Sequence, residues 1–358
     1  MALQFASTAN RTVLARSHQK RLDQVFASTE YQRAEYHATE HGGSEYHGAG
    51  NRRAEYRSRF RTWERVATVR NSPMRSLEAD GELFFSPELV PALAHPVLRR
   101  AAPHVRETVL VHRLYEYLRF TIDLEQSAVI PVTGHISRGM SGLDLPEAMR
   151  ADAFKIVTDE AWHAQFTYEI LRQVRDRTGV APALPDAPTF TTELARIHDS
   201  LPHEIRGLDE LLFAIVSETL ISSVLEDLPR DERLPEGVRE MVADHAVDEA
   251  KHHTYFSTLL RHLWPAMTRR ERELAGPYIP RLIFAFLEPD CTSAALGLRA
   301  SGLTAQEVEE VMTDVYAHDG IVADVRRGAA PTLQYFLEAG ALEHGATLEA
   351  FQESGLIA

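Results

Sequence analysis

From about residue 104 onward, apolar residues recur at intervals of three and four, punctuated by Pro, Gly and Asp/Ser clusters. That is the period of amphipathic helices. The pattern predicts long helices at about 104–129, 147–177, 208–228 and 237–263, then shorter ones through the C-terminal third. No stretch shows the alternation of a half-buried strand. Four helices long enough to cross a domain predict an all-α fold, a four-helix bundle core with additional peripheral helices. The third at 265–358 reads as helices that cover the open end of the bundle and supply a homodimer contact; His318 and Asp319 within it read as a polar loop.

Residues 1–60 differ. Glu-Tyr pairs at 30/31, 35/36, 45/46 and 55/56 are loosely spaced and interrupted by Gly42, Gly43, Gly48 and Gly50, and no face collects the apolar residues. The expectation is a polar N-terminal arm at 1–60, followed by a single helical domain at 61–358. His37, His41 and His47 in the arm are not read as a site.

Composition narrows the function. Of 358 residues, 38 are Lys or Arg and 52 Asp or Glu, a net charge of −14 that argues against a nucleic-acid partner. Cys291 is the sole cysteine, so no intrachain disulfide, Cys-based zinc site or iron–sulfur cluster is expected. No leader-like apolar stretch opens the sequence, and no apolar run reaches the roughly 18 residues of a membrane span. A cytoplasmic protein with no membrane association is expected. His-Glu-x-x-His, a P-loop and Gly-x-Gly-x-x-Gly are all absent.

The acidic residues and histidines of the long helices carry the chemistry, because a charge on an apolar stripe needs a partner or a metal. In the first helix Glu125 falls on the stripe of Leu114, Leu118, Ile122 and Val129, whereas Glu116 reads as a solvated surface residue. The second carries Glu160 and His163 as Glu-x-x-His, a pair that a buried hydrogen bond alone would also explain. In the third, Glu218 is the only ionisable side chain from Leu211 to Leu225, to be read as a neutral acid, a partner of a distant arginine or a metal ligand. The fourth places His245, Glu249 and His252 on one stripe with Val238, Val242 and Leu259; His253 points aside and His262 is too distant.

A Glu from each of two helices and a Glu-x-x-His from each of the other two form the ligand set of ferritin-like di-iron carboxylate bundles. The carboxylates offset the charge of two Fe ions, imidazoles raise affinity, and open positions remain for O2 as co-substrate. Manganese or a mixed Mn/Fe pair suits the same donors.

With His245 the fourth helix reads His-x-x-x-Glu-x-x-His, and over about residues 100–290 the chain resembles the AurF-like family of p-aminobenzoate N-oxygenases, marked among ferritin-like proteins by that seventh ligand. The gaps of 35 from Glu125 to Glu160, 58 to Glu218 and 27 to His245 are similar as well. The resemblance implies a non-heme di-iron N-oxygenase in which one iron gains the additional histidine. It implies oxidation of a primary amine (aryl, alkyl or amino-acid) by O2 through a peroxo di-iron species, giving hydroxylamine, nitroso or nitro products in natural-product biosynthesis. No reductase or flavin motif is visible, so electrons are expected from an external donor, a separate reductase or the partly oxidised substrate. Tyr117, Thr121, Trp162 and Phe166 are candidates to line the amine cavity, and Arg119, Arg281, Arg326 and Arg327 to bind a substrate carboxylate. Two alternatives stand beside this reading: a di-iron oxidase acting on carbon (hydroxylation, desaturation or oxidative cleavage), and a ferritin-like iron-binding protein.

Overall fold

The computed structural model describes residues 56–78, 81–225 and 227–357. Every regular element among them is helical. The arm up to residue 55, with His37, His41 and His47, lies outside the described residues.

Four helices make the bundle: α1 (Pro103–Leu124), α2 (Glu147–Thr178), α3 (Leu208–Val224) and α4 (Glu236–Ala266). α1 packs on α2, α3 packs on α4, and α2 meets α4 across the centre. Residues 125–146, which include a further helical stretch, lead from α1 to α2, and residues 225–235 lead from α3 to α4. Gly179, at φ 68°, takes the left-handed conformation that ends α2. α3 is apolar nearly all round because it is covered on every side: Leu212, Phe213, Ala214, Ile215 and Val216 are all buried.

The end of α1 differs from the expected helix to residue 129. At Glu125–Val129 the backbone widens into a π-turn, in which the Ile130 amide reaches back five residues to the Glu125 carbonyl, and the helix then resumes as Ile130–Ser137. Pro131 explains both features. It has no amide hydrogen to give Ser127, which interrupts the ordinary ladder, yet proline is tolerated in the first turn of the helical stretch that follows.

The remaining elements wrap this core. Ile279–Leu287 packs on α3 and on the helix Thr189–Ser200, Cys291–Ala300 packs on α1, and Ala330–Glu338 packs on α3 and α4. Thr219 and Thr332 share a buried hydroxyl–hydroxyl hydrogen bond of 2.7 Å across the last of these contacts. His318 and Asp319 are not a loop: they open the helix His318–Gly328, where the Asp319 carboxylate complements the free amides of the first turn. Ahead of the bundle, the turns Trp63–Val66 and Thr68–Asn71 are tied down by buried Phe60, Trp63 and Thr68. Just beyond them the Ser76 carbonyl lies where a Cβ on Gly237 would be, so glycine lets this segment cross the start of α4. Among the described residues no helix is long and apolar enough to cross a membrane.

Candidate metal centre

Glu125 stands at the first residue of the π-turn, and π-turns inside α-helices are frequent at functional sites. Glu160 and His163 project from mid-α2, Glu218 from α3, and His245, Glu249 and His252 from successive turns of α4. All seven are buried, none more than 1 % exposed.

Ligand-type atoms fall into two groups, within each of which all lie within 4.8 Å of one another: Glu125, Glu160, His163, His245 and Glu249 in one, Glu160, Glu218, Glu249 and His252 in the other. Glu160 and Glu249 belong to both. His245 Nε2 lies 3.0 Å from Glu249 Oε1 and 3.5 Å from Glu125 Oε1. His252 Nδ1 lies 2.8 Å from Glu160 Oε1 and 3.9 Å from Glu218 Oε2. Among the described residues both oxygens of Glu125, Glu218 and Glu249, with Glu160 Oε1, His252 Nδ1 and both His245 nitrogens, have no hydrogen-bond partner. Buried polar atoms are rarely left so, and atoms that converge without hydrogen-bond geometry are arranged for a common cation. Two dications would neutralise four carboxylates, and the mixed carboxylate–imidazole set suits first-row metals such as iron or manganese. The arrangement is able to hold metal.

The electrostatics fit that account. Burial and the Glu160 charge push the Glu125 carboxyl up to about 8, and burial with the Glu249 and Glu160 charges drives Glu218 well above the carboxylate range. Burial works against ionised imidazoles, but surrounding carboxylates raise His163, His252 and His245 nonetheless. Glu249 is held well below its ordinary value: burial opposes this, and the three imidazoles outweigh it. Without metal, protons hold these charges together.

Beside the cluster, an open cleft of about 810 Å³ lies between α1, the helix Thr189–Ser200 and the segment 277–294. Phe120, Phe190, Phe284 and Phe286 contribute apolar walls, and Tyr117 lines it as well. The Tyr117 hydroxyl has no partner among the described residues, and its acidity is reduced by burial and by the nearby Glu125 and Glu249 charges. Glu116 is not a surface residue: it lines the cleft 3.2 Å from Arg113, and burial raises its carboxyl despite that arginine. A surface reading fails because the walls that enclose it come from residues far along the chain.

A family model described as P-aminobenzoate N-oxygenase AurF matches residues 61–340. The chain belongs to the AurF family. The 4-aminobenzoate N-oxygenase of Streptomyces thioluteus is 26 % identical to it over 268 residues, which cover 73 % of this chain and 79 % of that protein. AurF-family membership makes the chain an oxygenase of the di-metal class and sets aside the iron-storage alternative.

Within this AurF-family chain the four residues expected to line the amine cavity occupy different places. Tyr117 lines the cleft. The Thr121 hydroxyl is taken up by the Tyr117 carbonyl, 3.2 Å away on the same helix. Phe166 packs on His163 and His245 with ring centres 5.4 and 6.0 Å apart, and Trp162 stands edge-on to Phe166. Of the arginines, Arg119 and Arg281 line the cleft, the first paired with Asp123 and the second with Glu193 at 2.8 Å, while Arg326 and Arg327 lie elsewhere.

Two further residues carry weight that a Glu-x-x-His motif passes over. Asp159 Oδ2 faces His252 Nε2 at 3.3 Å, and Asp248 Oδ2 faces His163 Nε2 at 3.5 Å. Each aspartate directly precedes the shared glutamate of its own helix, Glu160 or Glu249, and backs the histidine of the other helix. A carboxylate behind the outer nitrogen fixes which nitrogen carries the proton and leaves the inner one free to ligate. The signal was in the sequence as Asp-Glu-x-x-His on both helices, although the crossed pairing appears only in three dimensions.

Proposed function

We propose that this protein is a non-heme di-iron N-oxygenase of aryl amines. Glu125, His163 and His245 would hold one iron, Glu218 and His252 the other, and Glu160 and Glu249 both. The observation that carries the reading is the pair of buried ligand groups sharing two carboxylates, next to a cleft sized for a small aromatic molecule. The family assignment and the name of the Streptomyces relative support the amine as substrate.

Two ferrous ions held there would offer open coordination positions for O2 and pass on the electrons that its activation needs. The chain's own residues do the rest. Buried packing around the seven ligands excludes water that would quench an oxidant. The apolar cleft wall suits an aryl amine, which is already uncharged at neutral pH and brings its nitrogen lone pair without the larger cost of burying or deprotonating an ammonium ion. Tyr117, which lines the cleft and whose hydroxyl has no partner among the described residues, donates a hydrogen bond to the amine or its oxidised nitrogen. Oxidation of an amine to a hydroxylamine with one O2 yields one water and consumes two electrons and two protons from outside. A separate reductase or a partly oxidised substrate supplies these electrons.

The test is mass spectrometry of products after anaerobic Fe(II) loading, addition of labelled O2 and reductant, and a panel of aromatic and aliphatic amines. N-hydroxy, nitroso or nitro aryl products carrying the label are expected. Label on carbon, or oxidation of aliphatic amines alone, would defeat the proposal.

A further inference from the structure

The segment that crosses the bundle before α1 touches both aspartates behind the cluster. Trp63 Nε1 donates to Asp159 Oδ1 and Oδ2 at 2.9 and 2.8 Å. Five residues on, Thr68 gives Asp248 Oδ2 its backbone N–H at 3.1 Å and its hydroxyl at 2.6 Å. These are the carboxylates that face His252 and His163. Phe60 adds a ring stacked on His252, centroids 6.0 Å apart and planes 14° from parallel, and Lys155 Nζ holds the Phe60 carbonyl at 3.3 Å.

We infer that residues 60–68 form a strap that positions the metal-site histidines, Trp63 acting through Asp159 on His252 and Thr68 acting through Asp248 on His163. The inference rests on the two-metal reading above. An imidazole that presents Nδ1 to the cluster carries its proton on Nε2, and that proton needs a fixed acceptor. The indole N–H and the Thr68 amide are donors without acceptor capacity, so they pin the aspartates without competing for the histidine proton. Trp63 is itself held in place: 4 % exposed, it lies under the Arg70 guanidinium, 4.9 Å from its ring. Trp63 and Thr68 are positioning residues, remote from any substrate and one hydrogen-bonded step behind the ligands.

The test is equilibrium titration of the full chain with cobalt(II), whose absorption distinguishes a position with two imidazoles from one with a single imidazole. Trp63→Phe keeps a ring and deletes the donor. It is expected to weaken, by tenfold or more, the binding step that His252→Ala abolishes, and to spare the other. Thr68→Val is expected to weaken the step that depends on His163, by a smaller factor because the backbone donor stays, and Thr68→Ser to restore it. Tyr56→Phe is the control, since Tyr56 anchors the same segment through a 2.8 Å bond to Asp152, which touches none of the seven ligands. It should alter neither step. If Trp63→Phe does not fold, the Thr68 pair carries the test alone. Two bound cobalt ions with unchanged affinity in Trp63→Phe and Thr68→Val would overturn the strap and keep the metal reading. Equal weakening in Tyr56→Phe would overturn the strap by making its effect one of general packing. A wild-type chain that takes up no cobalt would overturn both.

Discussion

Glu218 stands alone among apolar neighbours on α3, where burial and the other glutamates drive its carboxyl far above the ordinary range. Metal-free, it gives the fold nothing, so Glu218→Gln is expected to leave the metal-free melting temperature unchanged or raised while metal stoichiometry falls from two to one, as read by calorimetry and metal analysis. Protons tell a related story. Glu125, at about 8, and the three imidazoles bind protons more tightly in the native state than in the unfolded chain. Their stabilisation is full at low pH and is lost as pH rises through their native values; that of the depressed carboxylates Glu160 and Glu249 is present above the ordinary carboxylate range and is lost only in acid, so it does not change from neutral pH upward. The metal-free protein is therefore expected to melt at lower temperature as pH climbs from about 6 to about 9, and the metal-loaded protein, whose ligands must be deprotonated, to do the opposite. Thermal scans of both forms decide it. At the cleft, Tyr117→Phe is expected to cut turnover about tenfold, the loss of one hydrogen bond, with metal content intact. The seven clustered residues were legible in sequence because each is a charge on an apolar stripe. Asp159 and Asp248 show in sequence only as a repeated Asp-Glu-x-x-His; their role was not legible, because their partners sit on the opposite helix.

At the scale of elements, α3 is apolar nearly all round and shows as one long apolar run, while α2 and α4 follow their hydrophobic period. α1 departs from it at one point, and that point carries Glu125. A π-turn inserts an extra residue into the turn, which shifts every later side chain round the helix and re-aims the one that starts it. Periodicity alone shows no such insertion, since Leu114, Leu118 and Ile122 lie before it and keep an ordinary register. Pro131 lies just past the expected helix end at 129, and its structural effect is to widen the preceding turn and let the helix continue. Pro131→Ala restores an amide that can bond Ser127 and is expected to regularise the turn, swing Glu125 away from the cluster and weaken one metal position at least tenfold in a titration. Unchanged affinity would mean that packing, rather than proline, sets the turn.

The whole molecule adds what no single element contains. The cleft takes one wall from α1 and the others from residues 184–196 and 277–294, pieces brought together only by the wrapping of the C-terminal helices. This is why Glu116 read as solvated, and why Arg119 and Arg281 were not separable in sequence from Arg326 and Arg327. Ala294→Trp, on the wall supplied by residues 277–294, is expected to raise the KM for an aryl amine at least tenfold by filling the cleft, with both metals still bound; steady-state kinetics beside metal analysis check it. The placement of the indoles has a consequence of another kind. Trp63 reaches His252 through Asp159, and Trp162 stands against Phe166, which packs on His163, whereas Trp264 is buried near His344. Two of the chain's three tryptophans thus sit beside the cluster, so the arrival of a paramagnetic ion should dim the protein's own ultraviolet emission, and the molecule carries a built-in optical gauge of its loading.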